Sequence, residues 1–279
     1  MQSTQLLPLL KSVKKKDSKI DNFVFWLHYR VTCVLLLICA AFTTMYQFIG
    51  IKCDVKGVKL ALFESYCWSE GIYTEDTSGK HYLGWYQWVS LTLAAQALMF
   101  YLPHYIWKLA ENGQIGLMVN GMDKKTLLPP KDRAEKRSAS AKYFIQMLGS
   151  HQAYFAKYVV CEIVNFINVF VQVYLINMFL NGKFTQFGAN VLMTQSSDPL
   201  AKVFPKMAMC TFKYEHGLDG DEVDKQGYCY LGINTVNEKI YIFLWFYLHG
   251  LMVVTAIYLV YRLCTIASLK LRYVKVCLH

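Results

Sequence analysis

Two groups of side chains in this sequence have the types and spacing to do chemistry. Cys53 and Cys67 lie in one polar stretch, and Cys210 and Cys229 in another. Thiols arranged in this way oxidise to disulfides wherever the compartment permits, and four of them allow three pairings. The second group is Glu162, Asn165, Asn168 and Gln172, which recur at spacings of 3, 3 and 4 inside an otherwise apolar run. On a helix that spacing gathers them within an arc of roughly 120°. If the run crosses a bilayer, a charge at its centre costs on the order of 2.5–3.5 kcal/mol, so this face must meet protein or water. Two readings stay open: hydrogen-bonded packing between helices or subunits, and the lining of an aqueous pathway. Elsewhere the chain holds no Walker loop, no nucleotide-binding glycine fingerprint, no His-Glu-x-x-His, no Gly-x-Ser-x-Gly and no Cys/His spacing of zinc type. Its seven histidines are scattered. No catalytic, cofactor or metal site is expected.

The elements that must position these residues are set by composition. The chain has 279 residues, 55% of them apolar and 17% charged, against a charged share of about a quarter in ordinary soluble domains. A helix rises about 1.5 Å per residue and the hydrocarbon slab is about 30 Å thick, so a span needs about 18 or more apolar residues. Four windows qualify: Val31–Ile49, Trp85–Trp107, Tyr158–Leu180 and Ile240–Tyr261, of which only the third contains a carboxylate, Glu162. Closed barrels are excluded, because these runs lack the alternation of a lipid-facing strand.

Basic residues orient the spans. Residues 1–30, 108–157 and 262–279 hold 19 Lys/Arg against 6 Asp/Glu, whereas residues 50–84 and 181–239 hold 10 against 12. By the positive-inside rule both termini and the middle loop are cytoplasmic. The net charge of +10 is then a topology signal, with some affinity for anionic inner-leaflet lipid, and not a nucleic-acid footprint. Redox chemistry agrees. Cys33, Cys39, Cys161 and Cys264 lie in or beside spans and Cys277 in the tail, where buried or reduced thiols belong, while the other four cysteines fall two and two in the loops assigned outside. Cleavage after the small residues following Cys39 is not expected, since the apolar run continues to Ile49.

The expected organisation is therefore a cytoplasmic segment 1–30, a span 31–49, an outer loop 50–84, a span 85–107, a cytoplasmic loop 108–157, a span 158–180, an outer loop 181–239, a span 240–261 and a tail 262–279. Trp85, Tyr86 and Trp88 crowd the outer start of the second span, as an aromatic belt would. Pro103 removes a backbone hydrogen bond in that span and is expected to bend it. The stretch beginning at Lys131, "KDRAEKRSASAKYFIQML", mixes charge with good helix formers and predicts a cytosolic helix. The outer loops contain no Asn-x-Ser/Thr acceptor.

The stretch "GWYQWVSLTLAAQALMFYLPHYIWK" resembles the innexin signature, Tyr-Tyr-Gln-Trp-Val followed by an apolar span with Pro and a Trp-Lys boundary. Here it reads Trp85-Tyr86-Gln87-Trp88-Val89, departing at the first position. "FVFWLHYRVT", "FPKMAMCTF" and "NTVNEKIYIFLWF" match further innexin blocks in order. The resemblance covers nearly the whole chain and is weakest over residues 110–150. Innexins commonly continue well past the fourth span, whereas only residues 262–279 follow here, which is similar to the short-tailed viral innexins (vinnexins).

The resemblance implies an all-α membrane protein, a four-transmembrane-helix bundle with disulfide-linked extracellular loops, assembling into a ring-shaped large-pore channel. It implies a gap junction subunit of the plasma membrane at cell-cell junctions, homo- or hetero-oligomeric with other innexin subunits in a ring of eight, docking to a hemichannel of an adjacent cell and passing ions and small metabolites. No cofactor is implied. It implies the inter-loop pairs Cys53–Cys229 and Cys67–Cys210. It carries a cytoplasmic constriction onto Gln2, Ser3, Thr4 and Gln5, and further pore lining onto Thr43, Thr44 and Gln47, for which interhelical hydrogen bonding is the rival reading. A hemichannel that never docks and releases metabolites, as pannexins do, is the alternative. A four-span adhesion protein of claudin or tetraspanin type fits less well, because neither family's cysteine pattern is present.

Overall fold

The computed structural model describes residues 21–76, 79–113, 129–146, 152–188, 191, 203–216 and 221–268. Four long helices form the bundle: α1 (Phe23–Gln47), the segment Trp85–Glu111 whose main helix is α3 (Val89–Glu111), α5 (Gln152–Phe179) and α6 (Gly232–Ala267). All four are long and apolar enough to cross a membrane. Each extends beyond the charge-free window that marks it in the sequence. α1 starts at Phe23 because Asn22 caps it, its side-chain carbonyl accepting from the Phe25 amide at 2.7 Å. α6 runs on to Ala267, so that Arg262 lies within the helix.

The interior is a set of stripes at helical spacing. Leu36 and Ala40 of α1, Val89, Leu93, Ala97 and Phe100 of α3, Val169, Val173 and Ile176 of α5, and Tyr241, Leu244, Leu248 and Leu251 of α6 are buried in one cluster. Steps of three and four keep each set on one face of its helix. Only 28–39% of each span's most apolar window is buried in the protomer. The remaining apolar faces are left to lipid or neighbouring chains.

A separate helix, α4 (Pro130–Gln146), begins on a proline, which suits a first helical turn. It is where the helix-forming composition of that stretch predicts one.

At the end of the bundle reached by residues 48–84 and 180–231, the two connecting segments build one body. Strands β1 (Lys52–Asp54), β2 (Ile72–Asp76), β3 (Gly79–Leu83), β4 (Met207–His216) and β5 (Asp221–Tyr230) form an antiparallel sheet ordered β1-β5-β4-β2-β3. The first segment therefore supplies both edges and the second supplies the central hairpin. Helix α2 (Leu60–Glu70) covers one sheet face. Alternation places Ala208, Cys210 and Phe212 inward with Phe63 and Cys67, and leaves Met207, Tyr228 and Tyr230 exposed. Mixed structure in these loops adds to the helical bundle that composition predicts.

Candidate functional site

The sheet and its covering helix bring Cys53, Cys67, Cys210 and Cys229 together. Cys53 of β1 stands directly opposite Cys229 of β5, with Cα atoms 4.0 Å apart. Facing residues on neighbouring antiparallel strands are nearest neighbours across the ladder, so the pairing of the strands itself presents the two sulfurs to each other. The second bridge joins Cys67 at the end of α2 to Cys210 of β4, over a Cα separation of 5.9 Å. One bridge ties strand to strand and the other ties the covering helix to the sheet. Cys67, Cys210 and Cys229 are fully enclosed. The sulfurs of Cys53, Cys67 and Cys229 lie within 4.8 Å of one another. Because these thiols are oxidised, that cluster is not a metal site.

Gly227 shows how tightly the cap is assembled. It faces Cys210 across the β4–β5 pair. A Cβ there would sit 2.7 Å from the Asp54 carbonyl oxygen and 2.8 Å from the Phe63 ring. Only a residue without a side chain lets strand, neighbouring strand and helix meet at this point.

The signature residues form the joint between cap and bundle. Trp85–Trp88 make a single tight turn ahead of α3. Tyr86 is fully buried with its ring edge-on to Trp68 at 5.2 Å, and Trp85 packs against Phe204 and Phe179 at 5.2 and 6.2 Å. The Gln87 amide donates to the Trp68 carbonyl, while the Gln87 carbonyl accepts from Gln47 Nε2 at 2.9 Å. Val89 is enclosed in the bundle, and Trp88 alone of the group is largely exposed, at 58%. Of these aromatics only Trp88 has the exposure that a belt position requires. Trp85 and Tyr86 are interior packing instead, because the turn aims them under the sheet.

Along α5 all four polar residues point into the protomer. Pro103 in α3 has no amide hydrogen, so the Met99 carbonyl one turn earlier loses its helical donor. Asn168 Nδ2 donates to that carbonyl at 3.3 Å, and Gln172 Nε2 donates to Asn168 Oδ1 at 3.2 Å. Two members of the polar stripe thus answer a proline in the neighbouring span. Asn165 lines a small cavity with Asn22, His28, Glu162, Thr255 and Tyr258. The cavity measures about 10 Å³, close to the space one water molecule needs.

Glu162 lies at the end of the bundle away from the cap. Arg262 of α6 forks onto it, Nε donating to Oε2 at 3.0 Å and Nη2 to Oε1 at 2.8 Å. Asn22 Nδ2 donates to the same Oε1, and the Asn22 amide donates to the Tyr158 hydroxyl at 3.1 Å. The guanidinium also lies over the Tyr158 and Tyr258 rings at 5.6 and 5.5 Å. Next along the chain, Asp21 approaches His104 of α3 to 3.5 Å, and His104 stacks on Tyr29 at 3.7 Å. All four spans are therefore joined where α1 begins. Arg262 and Asn22 are the residues that sequence reasoning misses here. The signals were the bidentate preference of arginine for a carboxylate and an Asn immediately ahead of an apolar run.

The pore-lining candidates separate. Gln2, Ser3, Thr4 and Gln5 lie outside the described residues. Thr43 is fully buried, its hydroxyl donating to the Ala40 carbonyl at 2.9 Å. Its bond stays within α1 and is not interhelical, and burial inside the protomer leaves this side chain off the helix surface. Thr44 and Gln47 are partly exposed, although Thr44 donates to the Ala40 carbonyl at 2.8 Å and Gln47 accepts from Ser90 at 3.2 Å as well as donating to Gln87.

Four helices long and apolar enough to cross a membrane, with the two connections at one end welded by disulfides into a single cap, define the class: a multi-pass membrane protein with a disulfide-bonded cap. The sequence pattern of the innexin family matches residues 21–278, and the chain belongs to that family. It is 35% identical to innexin inx2 of Schistocerca americana, over 94% of this chain and 81% of that protein. It is 34% identical to innexin inx2 of Drosophila melanogaster, over 91% and 77%. With innexin shaking-B of Drosophila melanogaster the identity is 31%, over 93% and 78%. It is an innexin-type gap junction channel subunit, at work as part of an oligomer in the plasma membrane.

Proposed function

We propose that eight such chains ring a central pore, with both termini and residues 108–157 in the cytoplasm, and that the cap docks on the cap of a ring in the adjacent cell. Ions and small metabolites then pass from cell to cell. The observation that carries this reading is the cap. Two connections of unlike length share one sheet and two bridges, one of them between directly opposed residues. Cross-linking of this kind removes conformational freedom that docking would otherwise have to freeze.

The charge bias supports the orientation, since the segments at the far end of the bundle carry most of the Lys/Arg excess. Spans with more than half of their apolar windows uncovered leave room for neighbouring subunits. In this reading Gln2, Ser3, Thr4 and Gln5 form the cytoplasmic constriction, and their uncharged polar groups give weak charge selection. Thr44 and Gln47 border the conduit near the cap. The chain has no catalytic role of its own.

Passage of a small fluorescent dye tests the proposal. Expressing cells in contact should pass dye from an injected cell to its neighbour without loss to the medium. Dye that escapes from single cells and never enters the neighbour would replace the junction with the non-docking release channel.

A further inference from the structure

The geometry around Glu162 assigns a task to a residue outside every motif above. Glu162 and Arg262 have side chains only 6% and 14% exposed. A buried ion pair is a poor stabiliser compared with apolar packing, but it is highly directional, because the carboxylate is tolerated only while both oxygens are occupied. Arg262 occupies both oxygens. That orientation leaves Oε1 open to Asn22 Nδ2. The same asparagine caps α1 through its carbonyl and bonds to Tyr158 through its amide. The last turn of the fourth span therefore determines, through one carboxylate, where the chain enters the first span.

We propose that Arg262 is a positioning residue of the channel: through Glu162 it holds Asn22 and the start of α1, and so biases the channel between closed and open. The inference rests on the channel reading. It asks for a planar fork, which lysine lacks, so Arg262→Lys should behave like a loss and not like a conservative change.

Two measurements on the full chain test it. The first does not depend on conduction. Val24 is 8% exposed, and a Val24→Cys reporter in purified protein should be alkylated by maleimide at least about tenfold faster once Arg262→Met or Glu162→Gln is added, read on the peptide containing residue 24 by mass spectrometry. The second is single-channel recording. Arg262→Met, Arg262→Lys and Asn22→Ala should each shift open probability in the same direction and leave unitary conductance unchanged. Asn22→Ala combined with Arg262→Met should shift it no further than either alone, as expected for one chain of contacts.

Asn22 is only half-buried, so Asn22→Ala carries the test if an Arg262 variant does not fold. Unchanged alkylation in the folded variants overturns the proposal, as does an additive double variant. Faster alkylation in a protein that conducts in no form would keep the positioning role and remove the channel reading instead.

Discussion

Removal of the Cys53–Cys229 bridge should loosen the edge of the cap by an amount that follows from its topology. The two bridges span 176 and 143 residues of sequence, and taken singly either would restrict a very large loop. They are nested, however. With Cys67–Cys210 closed, Cys53–Cys229 encloses only residues 53–67 and 210–229. In the chain-entropy treatment a loop of that size corresponds to roughly 3.8 kcal/mol. Among the described residues strand β1, three residues long, pairs with β5 alone, and the Cys53 amide also donates to Glu64 of α2 at 3.1 Å, so few bonds besides the bridge hold that edge. The pair Cys53→Ala with Cys229→Ala should therefore raise the opening of β1 by roughly 600-fold at 1.36 kcal/mol per decade. Hydrogen exchange of peptides covering residues 52–54 and 227–230 reads this directly. The β2–β3 hairpin at the other edge should change little. Exchange that stays within threefold of the parent would refute the idea that the bridge, and not strand pairing, secures this edge.

Three further outcomes follow from individual contacts. Asn168→Leu should cost about 0.6–1.7 kcal/mol of thermal stability in detergent, typical of interhelical hydrogen bonds in membranes, and almost nothing in a Pro103→Leu background, where residue 103 regains the amide that Met99 needs. Gly227→Ala should destabilise the cap by about 1–3 kcal/mol through overpacking against Asp54 and Phe63, seen as protease sensitivity of the segments around β1 and β5. Tyr86→Ala should cost about 3–5 kcal/mol as a buried aromatic truncation, whereas Trp88→Ala, largely exposed, should change melting by about 0.5 kcal/mol or less. Equal effects of the last two would restore the belt reading to Tyr86.

The spans were legible because a helix apolar on all faces for five turns has few homes other than a bilayer. Their ends were not. A window that stops at the first charge breaks α1 at Arg30 and α6 at Tyr261, and so excludes both Asn22 and Arg262. The cap was legible only in part. Burial alternates from Met207 to Phe212 as in a strand, but the residues Met-Ala-Met-Cys-Thr-Phe do not alternate in polarity, the partners of β4 are β5 close by and β2 from a distant segment, and no local signal carries a pairing across two spans. The polar stripe of α5 was visible as a stripe. Its division into a partner for a proline and a partner for an arginine depends on which neighbours it faces, which periodicity does not encode.

Electrical coupling between paired cells tests the central claim most directly. Under dual voltage clamp, pairs that both express the chain should carry a junctional current, and Cys53→Ser should abolish it with the protein still at the surface. A wild-type chain that reaches the surface of both cells and passes no current between them would contradict the account.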